Sequence, residues 1–252
     1  MSVDLSGSTA IVTGASRGFG RAISTALASR GARVVGVART AEGLDPVKVE
    51  LGQRFTAVVA DAADPATAHD LLAAHQPDFL VLNAGAIPVM APVHEQTWES
   101  FSVNWAVDVQ NVFHWTQAAL RLPLRPGSRV VAFSSGAAVN GSPMSGGYAP
   151  AKAAVRFLAA YARDEAARSG QGVEFMSVLP QLTPATGLGQ AGVSGYARRQ
   201  GVDAATLVAG MQPILTPELV GRSIVDLLAG GGYADPAAAY LLTAAGGLQP
   251  LA

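Results

Sequence analysis

The stretch from residue 9 to 20, Thr-Ala-Ile-Val-Thr-Gly-Ala-Ser-Arg-Gly-Phe-Gly, restricts the folds open to this chain more than any other. Thr9 to Thr13 is an apolar run of strand length that stops at Gly14. After Gly18 and Gly20, the segment from Arg21 to Arg30 has helical composition and closes at Gly31. A buried strand that runs through glycines straight into a helix opens a βαβ unit, and that unit commits a chain to a parallel sheet. The turn also suits an anion, because glycines let backbone approach a pyrophosphate and the free N–H groups at a helix start point toward it. The spacing is TGxxxGxG and not GxGxxG, so an ordinary tight turn competes with this reading; the flanking strand and helix favour the phosphate site.

The same alternation recurs to the end of the chain. Ala32–Ala38 is a second strand, followed by Arg39 where an acid would bind ribose hydroxyls and an Arg accommodates a 2′-phosphate; with Arg17 in the glycine loop, this favours NADP over NAD, the competing reading being that each Arg is a solvated surface residue. Phe55–Ala60 delivers Asp61 at a strand end, and Asp64-Pro65 caps a helix reaching about His75. Asp78–Leu82 ends in Asn83-Ala84-Gly85, a set of small residues suited to a crevice floor or to a turn. Glu95 to Leu122 suits one long helix, with Trp98, Phe101, Trp105, Phe113 and Trp115 as a core or subunit-interface stripe. Arg129–Phe133 leads into Ser134-Ser135, Val173–Leu179 into Pro180, and Ala238–Thr243 closes the sheet. A helix from about residue 149 to 168 tolerates Pro150 in its first turn and offers Asp164 and Arg168 as an i,i+4 pair.

Residues 181–216, rich in Gly, Ala and Pro with a weak helical stretch around 195–210, form a candidate lid, and Thr216-Pro217 opens a last helix to Leu228. With no composition break or repeat, residues 1–252 are expected to form a single α/β domain built on one doubly wound parallel sheet.

Composition narrows the function. Seventeen Lys and Arg against 18 Asp and Glu, with no basic run, argue against nucleic acid and for a small-molecule partner. There is no Cys, and His69, His75, His94 and His114 show no ligand spacing, so no metal is expected. The N-terminus lacks a basic region followed by an apolar run, and no uncharged stretch is long enough to span a bilayer; a cytoplasmic, non-membrane protein is expected.

The chemistry centres on Ser145-Gly-Gly-Tyr148-Ala-Pro-Ala-Lys152. Four apart at a helix start, Tyr148 and Lys152 share a face, and a cation beside a phenol tunes it as a general acid or base. A surface helix with an incidental Tyr and Lys would read the same, so the pattern alone does not decide.

Taken together, Thr13-Gly14-x-x-x-Gly18-x-Gly20, Asp61, Asn83-Ala-Gly85, Ser135 and Tyr148-x-x-x-Lys152 resemble the classical short-chain dehydrogenase/reductase family. The resemblance implies a seven-stranded Rossmann-type sheet with helices on both faces, a nicotinamide cofactor, and a homodimer or homotetramer built through two long helices. It also implies that Tyr148 is the acid or base, that Lys152 lowers its pKa and binds the nicotinamide ribose, and that Ser135 holds the substrate oxygen. Gly14, Ser16, Arg17, Gly18, Phe19, Gly20, Arg39, Asp61 and Ala62 fall at its adenosine and phosphate positions. Asn83, Ala84, Gly85, Tyr148, Lys152, Pro180, Gln181 and Thr183 fall along the rest of the cofactor.

Three positions depart from the family pattern. Leu82 stands where the family has a second Asn. Gln181 stands where it has Gly, restricting the backbone and offering a side chain to cofactor or substrate. Asp108 stands at the place of the fourth catalytic residue, an Asn that supports a water on the Lys, with Asn104 one turn earlier as the alternative. The expected function is NADP(H)-dependent hydride transfer between nicotinamide and a neutral, mostly apolar ketone or secondary alcohol. A non-catalytic NADP-binding or scaffolding protein, and more remotely a dehalogenase-type elimination enzyme, are the competing readings.

Overall fold

Strands β1 (Thr9–Thr13), β2 (Arg33–Ala38), β3 (Phe55–Val59), β4 (Phe79–Leu82), β5 (Arg129–Phe133), β6 (Glu174–Pro180), β7 (Ala239–Thr243) and β8 (Gly247–Pro250) form one sheet in the order 3-2-1-4-5-6-7-8. The computed structural model describes residues 4–122, 124–230 and 238–251; Met1 to Val3 of the N-terminal stretch lie outside them. The first seven strands are parallel, in register from Thr9↔Arg33 on one side of β1 to Thr13↔Leu82 on the other.

β8 is an addition to the seven expected strands and is the antiparallel one, paired Thr243↔Gly247. A hairpin needs no crossover helix, and Pro250 is tolerated because an edge strand leaves one side of its ladder unpaired. Gly-Leu-Gln-Pro has no alternating apolar pattern, which is why the sequence does not announce it.

Helices α1 (Gly18–Ser29), α2 (Ala41–Leu51) and α10 (Pro217–Leu228) cover one face, and α3 (Pro65–His75), α5 (Gln110–Arg121) and α7 (Tyr148–Arg168) cover the other. Helix α8 (Gly187–Gln200) and the short helices α4 (Trp98–Asn104), α6 (Ala137–Asn140) and α9 (Ala204–Ala209) lie in the connections at the strands' C-terminal ends. Because successive strand residues point to opposite faces, one strand feeds two cores. Val12, Val34, Val131 and Met176 pack with Ile23 and Leu27 of α1 and Ile224 of α10. Ile11, Val35, Val130 and Phe175 pack with Leu72 of α3, Trp115 of α5 and Val155 of α7. Each fully buried Ile, Leu or Phe contributes about 1.5–3 kcal/mol, so the sheet is held from both sides.

Several elements differ from the sequence expectation. α1 begins at Gly18 instead of Arg21, and α2, which contains Gly43 and Pro46, carries little periodic signal. The single long helix expected over 95–122 is broken into α4, a π-helical turn at Trp105–Val109, and α5. Arg168 pairs with Glu165 instead of Asp164, because i,i+3 brings that carboxylate to its guanidinium. The weak helix expected near 195–210 is two helices, parted where Gly201 takes a left-handed conformation at φ 68°. No helix among the described residues is long and apolar enough to cross a membrane.

Candidate active site

Strand order reverses between β1 and β4, so the loops leaving them part and open a crevice at the C-terminal ends. A cavity of about 740 Å³ occupies it. Its floor is fixed by a small lattice: Thr13 Oγ1 accepts from the N–H groups of Asn83 (3.0 Å) and Ala84 (3.1 Å), and Asn83 Nδ2 donates to the carbonyls of Thr13 and Gly14. Gly14 sits at φ +69°, and a Cβ there would lie 2.9 Å from Ala84 Cα, so the turn and the Asn83-Ala84 strand end can approach only with glycine. Leu82 is core, 1 % exposed, and the missing second Asn leaves this lattice whole.

At one end, Arg17 and Arg39 are exposed on the rim, line the cavity and have no hydrogen-bond or ion-pair partner among the described residues. Asp61 accepts from Ala63 N at 2.9 Å, and Trp115 Nε1 donates to the Ala62 carbonyl at 2.9 Å, pinning that loop from the core beneath. The arrangement offers phosphate-binding glycine backbone, two free cations and an acid in a row, and it fits a phosphorylated dinucleotide.

At the other end, α7 starts at Tyr148 and puts Lys152 one turn on, with Nζ 5.6 Å from the Tyr148 ring centroid. Ser134 Oγ donates to the Lys152 carbonyl at 2.7 Å, which docks α7 on the end of β5 and brings Ser135 beside the phenol. Burial pushes the Tyr148 pKa up; the Lys152 charge and the Ser135 hydroxyl pull against it, and the Asp108 carboxylate adds to the rise. Burial works against the charge on Lys152, yet the Asp108 carboxylate and Tyr148 together hold its pKa above the ordinary lysine value.

Asp108 explains much of that. Its Oδ1 lies 2.9 Å from Lys152 Nζ, which also donates to the Phe133 carbonyl at 3.0 Å. Its Oδ2 accepts from Ala86 N at 2.9 Å and from Asn104 Nδ2 at 3.2 Å, while Asn104 Nδ2 also reaches the Ala86 carbonyl at 2.8 Å. Asn104 and Asp108 thus take both backbone groups of Ala86, and both side chains are buried. Gly85 makes room: a Cβ there would sit 2.9 Å from Asp108 Oδ1. The π-helical turn carries Asp108 to this place, and such turns concentrate at functional sites.

Of the residues expected from the sequence, Gly20 and Asp108 stand apart from the cavity wall. Gly20 packs under the turn, where a Cβ would strike the Gly14 carbonyl, and Asp108 lies behind Lys152. Gln181 does reach the wall, but its carboxamide bonds to Pro213 O (3.5 Å) and Ala244 N (3.3 Å), so it braces loops. Thr183 is 3 % exposed and donates to the Leu215 carbonyl at 2.6 Å. Sequence reasoning missed Asn111, which lines the cavity, donates to the Ala84 carbonyl at 3.3 Å and keeps a buried Oδ1 without a hydrogen-bond partner. It also missed Tyr196 of α8, whose hydroxyl meets Ser142 Oγ at 2.7 Å. The helical spacing of three and then four residues from Asp108 through Asn111 to Trp115 was the signal available for Asn111; nothing local marks Tyr196.

A sheet of this order, with a glycine turn at its switch point and a half-buried Ser135 beside the buried Tyr148 and Lys152 across the crevice, defines an oxidoreductase of the Rossmann type. A model of the family described as short chain dehydrogenase matches residues 8–195, and the chain belongs to that family. It is 30% identical over 175 residues to the 3-oxoacyl-(acyl-carrier-protein) reductase FabG of Escherichia coli (strain K12), covering 66% of this chain and 70% of that protein. Over 144 residues it is 35% identical to a D-threitol dehydrogenase of Mycolicibacterium smegmatis, covering 54% and 52% of the two chains. A crystal structure described as an NAD(P)-dependent gluconate 5-dehydrogenase from Beutenbergia cavernae, with bound NADP at low occupancy, superposes with a TM-score of 0.76 at 30% identity, covering 90% of this chain and 92% of that one.

Proposed function

We propose that this chain is an NADP(H)-dependent oxidoreductase that moves hydride between nicotinamide and a neutral ketone or secondary alcohol, with Tyr148 as the general acid in reduction and the base in oxidation. The observation that carries this reading is the single cavity joining the unpaired Arg17 and Arg39 to Ser135, Tyr148 and Lys152. NADP(H) would rest its pyrophosphate on the Gly14 turn and the start of α1 and its 2′-phosphate between the two Arg; when bound, it supplies or accepts the hydride. A relative with bound NADP supports the same choice.

The chain's own part is to handle oxygen and proton. Negative charge that develops on the substrate oxygen meets donors already in place, the Ser135 hydroxyl and the Tyr148 phenol, and Tyr148 releases its proton to it. The Lys152 charge stabilises the phenolate left behind. Asp108 contacts Lys152 directly, where the family pattern places an Asn and a water, so the ammonium is held as a lasting cation. We further propose that 181–216 closes the substrate end as a lid and that the chain works as a homo-oligomer.

A panel of simple ketones followed by NADPH absorbance tests the reading. Tyr148→Phe is expected to lower turnover at least a thousandfold while NADPH binding, measured by titration calorimetry, changes less than threefold. Wild-type turnover in that variant would remove Tyr148 from the role, and failure of the wild type to bind NADPH would remove the cofactor.

A further inference from the structure

The catalytic cavity shares Gln181, Leu182 and Tyr196 with a second, shallow and solvent-open cavity of about 410 Å³, whose remaining wall is Gln200, Leu207 and Met211. The second cavity lies between α8 and α9 and carries no charged side chain in its wall. Tyr196 stands at the partition, held by one neutral hydrogen bond to Ser142 beside the catalytic loop. The charged residues on the first cavity's wall are Arg17, Arg39 and Asp61 at the nucleotide end and Lys152. A substrate reaching beyond Ser135 and Tyr148 therefore meets neutral, largely apolar surface. A dinucleotide would take up much of the length between the glycine turn and Tyr148, leaving little room there for a long substrate.

Resting on the function proposed above, we infer that the cavity across Tyr196 is a subsite for an apolar tail of the substrate, an unbranched chain of several methylenes attached to the reacting carbonyl. Exchange of the Tyr196–Ser142 bond for one to solvent lets the ring swing aside, and Leu182, Leu207 and Met211 then face the tail. Leu207 and Met211 lie outside the catalytic cavity wall, which makes them clean probes.

The test is a series of methyl ketones from 2-butanone to 2-nonanone. Each methylene buried in the subsite should raise kcat/KM about fourfold, the factor that corresponds to roughly 0.8 kcal/mol per CH₂, until the cavity is filled. Leu207→Trp, which fills the cavity from the α9 side, should flatten the series, so that the ratio of kcat/KM for 2-nonanone to that for 2-butanone falls toward one; Met211→Trp serves as a second filler should the first not fold. A flat wild-type series with active 2-butanone overturns the subsite and leaves the proposed function standing. A rising series that neither filler moves also overturns it, because the tail then lies elsewhere. If no ketone turns over, the same series titrated calorimetrically into protein with NADP⁺ decides. Affinity that rises with chain length and is lost in Leu207→Trp supports the subsite although the reaction is wrong; affinity independent of length overturns both.

Discussion

At the scale of the residue, two side chains place charge at opposite ends of the site, Arg39 at the nucleotide end and Asp108 behind Lys152. Arg39 is exposed and lines the nucleotide end of the cavity. A charge-assisted contact to a 2′-phosphate is worth about 1.5–3 kcal/mol, so Arg39→Ala is expected to weaken NADPH binding by about 10- to 100-fold and NADH by less than threefold. Equal loss for both cofactors, measured side by side, would detach Arg39 from the phosphate. The role proposed for Asp108 lies in proton chemistry instead. Its carboxylate raises the pKa of both Tyr148 and Lys152, so Asp108→Asn lowers both. Reduction needs the protonated phenol, and its alkaline limb should therefore move to lower pH. A merely structural role would lower the whole profile without moving the limb. The stability sign follows from the same pair. Lys152 is raised in the fold, so its contribution is fully present below the unfolded lysine pKa and is lost as pH climbs through the folded one. Removing the partner of a buried charge costs about 3–5 kcal/mol, and the variant should sit near the lower figure because the amide still accepts from Ala86.

Elements show where the sequence is readable and where it is not. β1, β5 and the Asp64-capped α3 were legible because an apolar run, a glycine stop or a proline after a capping acid each states a local preference. So was the candidate site, since Gly14, Asn83, Ser135, Tyr148 and Lys152 follow strand ends or a helix start. The π-helical turn was not legible. Its cause is the capture of Ala86, eighteen residues upstream of Asn104, and no spacing within 98–121 records a contact made elsewhere. The part of helix α8 before residue 195 was hidden for a similar reason: Gly187, Gly189 and Gly192, with Gly195, depress helix propensity, yet some of them are there for packing. A Cβ at Gly189 would fall 1.6 Å from the Thr183 carbonyl, and one at Gly195 within 3 Å of Met90, whereas a Cβ at Gly187 meets nothing within 4 Å. Gly189→Ala should thus unseat the helix over the substrate end and cut kcat/KM more than tenfold, with a lower unfolding temperature. Gly187→Ala should leave both unchanged or slightly improved. Equal behaviour of the two variants in thermal melts and ketone assays would mean that α8 does not need its close approach to Thr183.

α7 carries Tyr148 and Lys152 at its first turn, and on its outer side Phe157 and Tyr161, 54% and 60% exposed, stack with ring centroids 6.0 Å apart. α5, which packs along α7, adds Phe113 at 43% exposed. Apolar aromatic surface of this kind on two neighbouring helices is what an oligomer interface buries, typically about 800 Å² on each partner. If copies of the chain associate through it, the interface braces the helix that positions the catalytic pair. Phe157→Glu places a charge in the middle of that surface, nine residues beyond Tyr148 and outside the cavity wall. Light scattering coupled to gel filtration should give a multiple of the chain mass for the wild type and a smaller assembly for the variant. The variant should also lose activity in parallel with dissociation, and recover part of it as protein concentration rises. A wild type that elutes as a single chain would show that the two helices are not an interface, and undiminished activity in a dissociated variant would show that α7 holds Tyr148 and Lys152 in place without a partner.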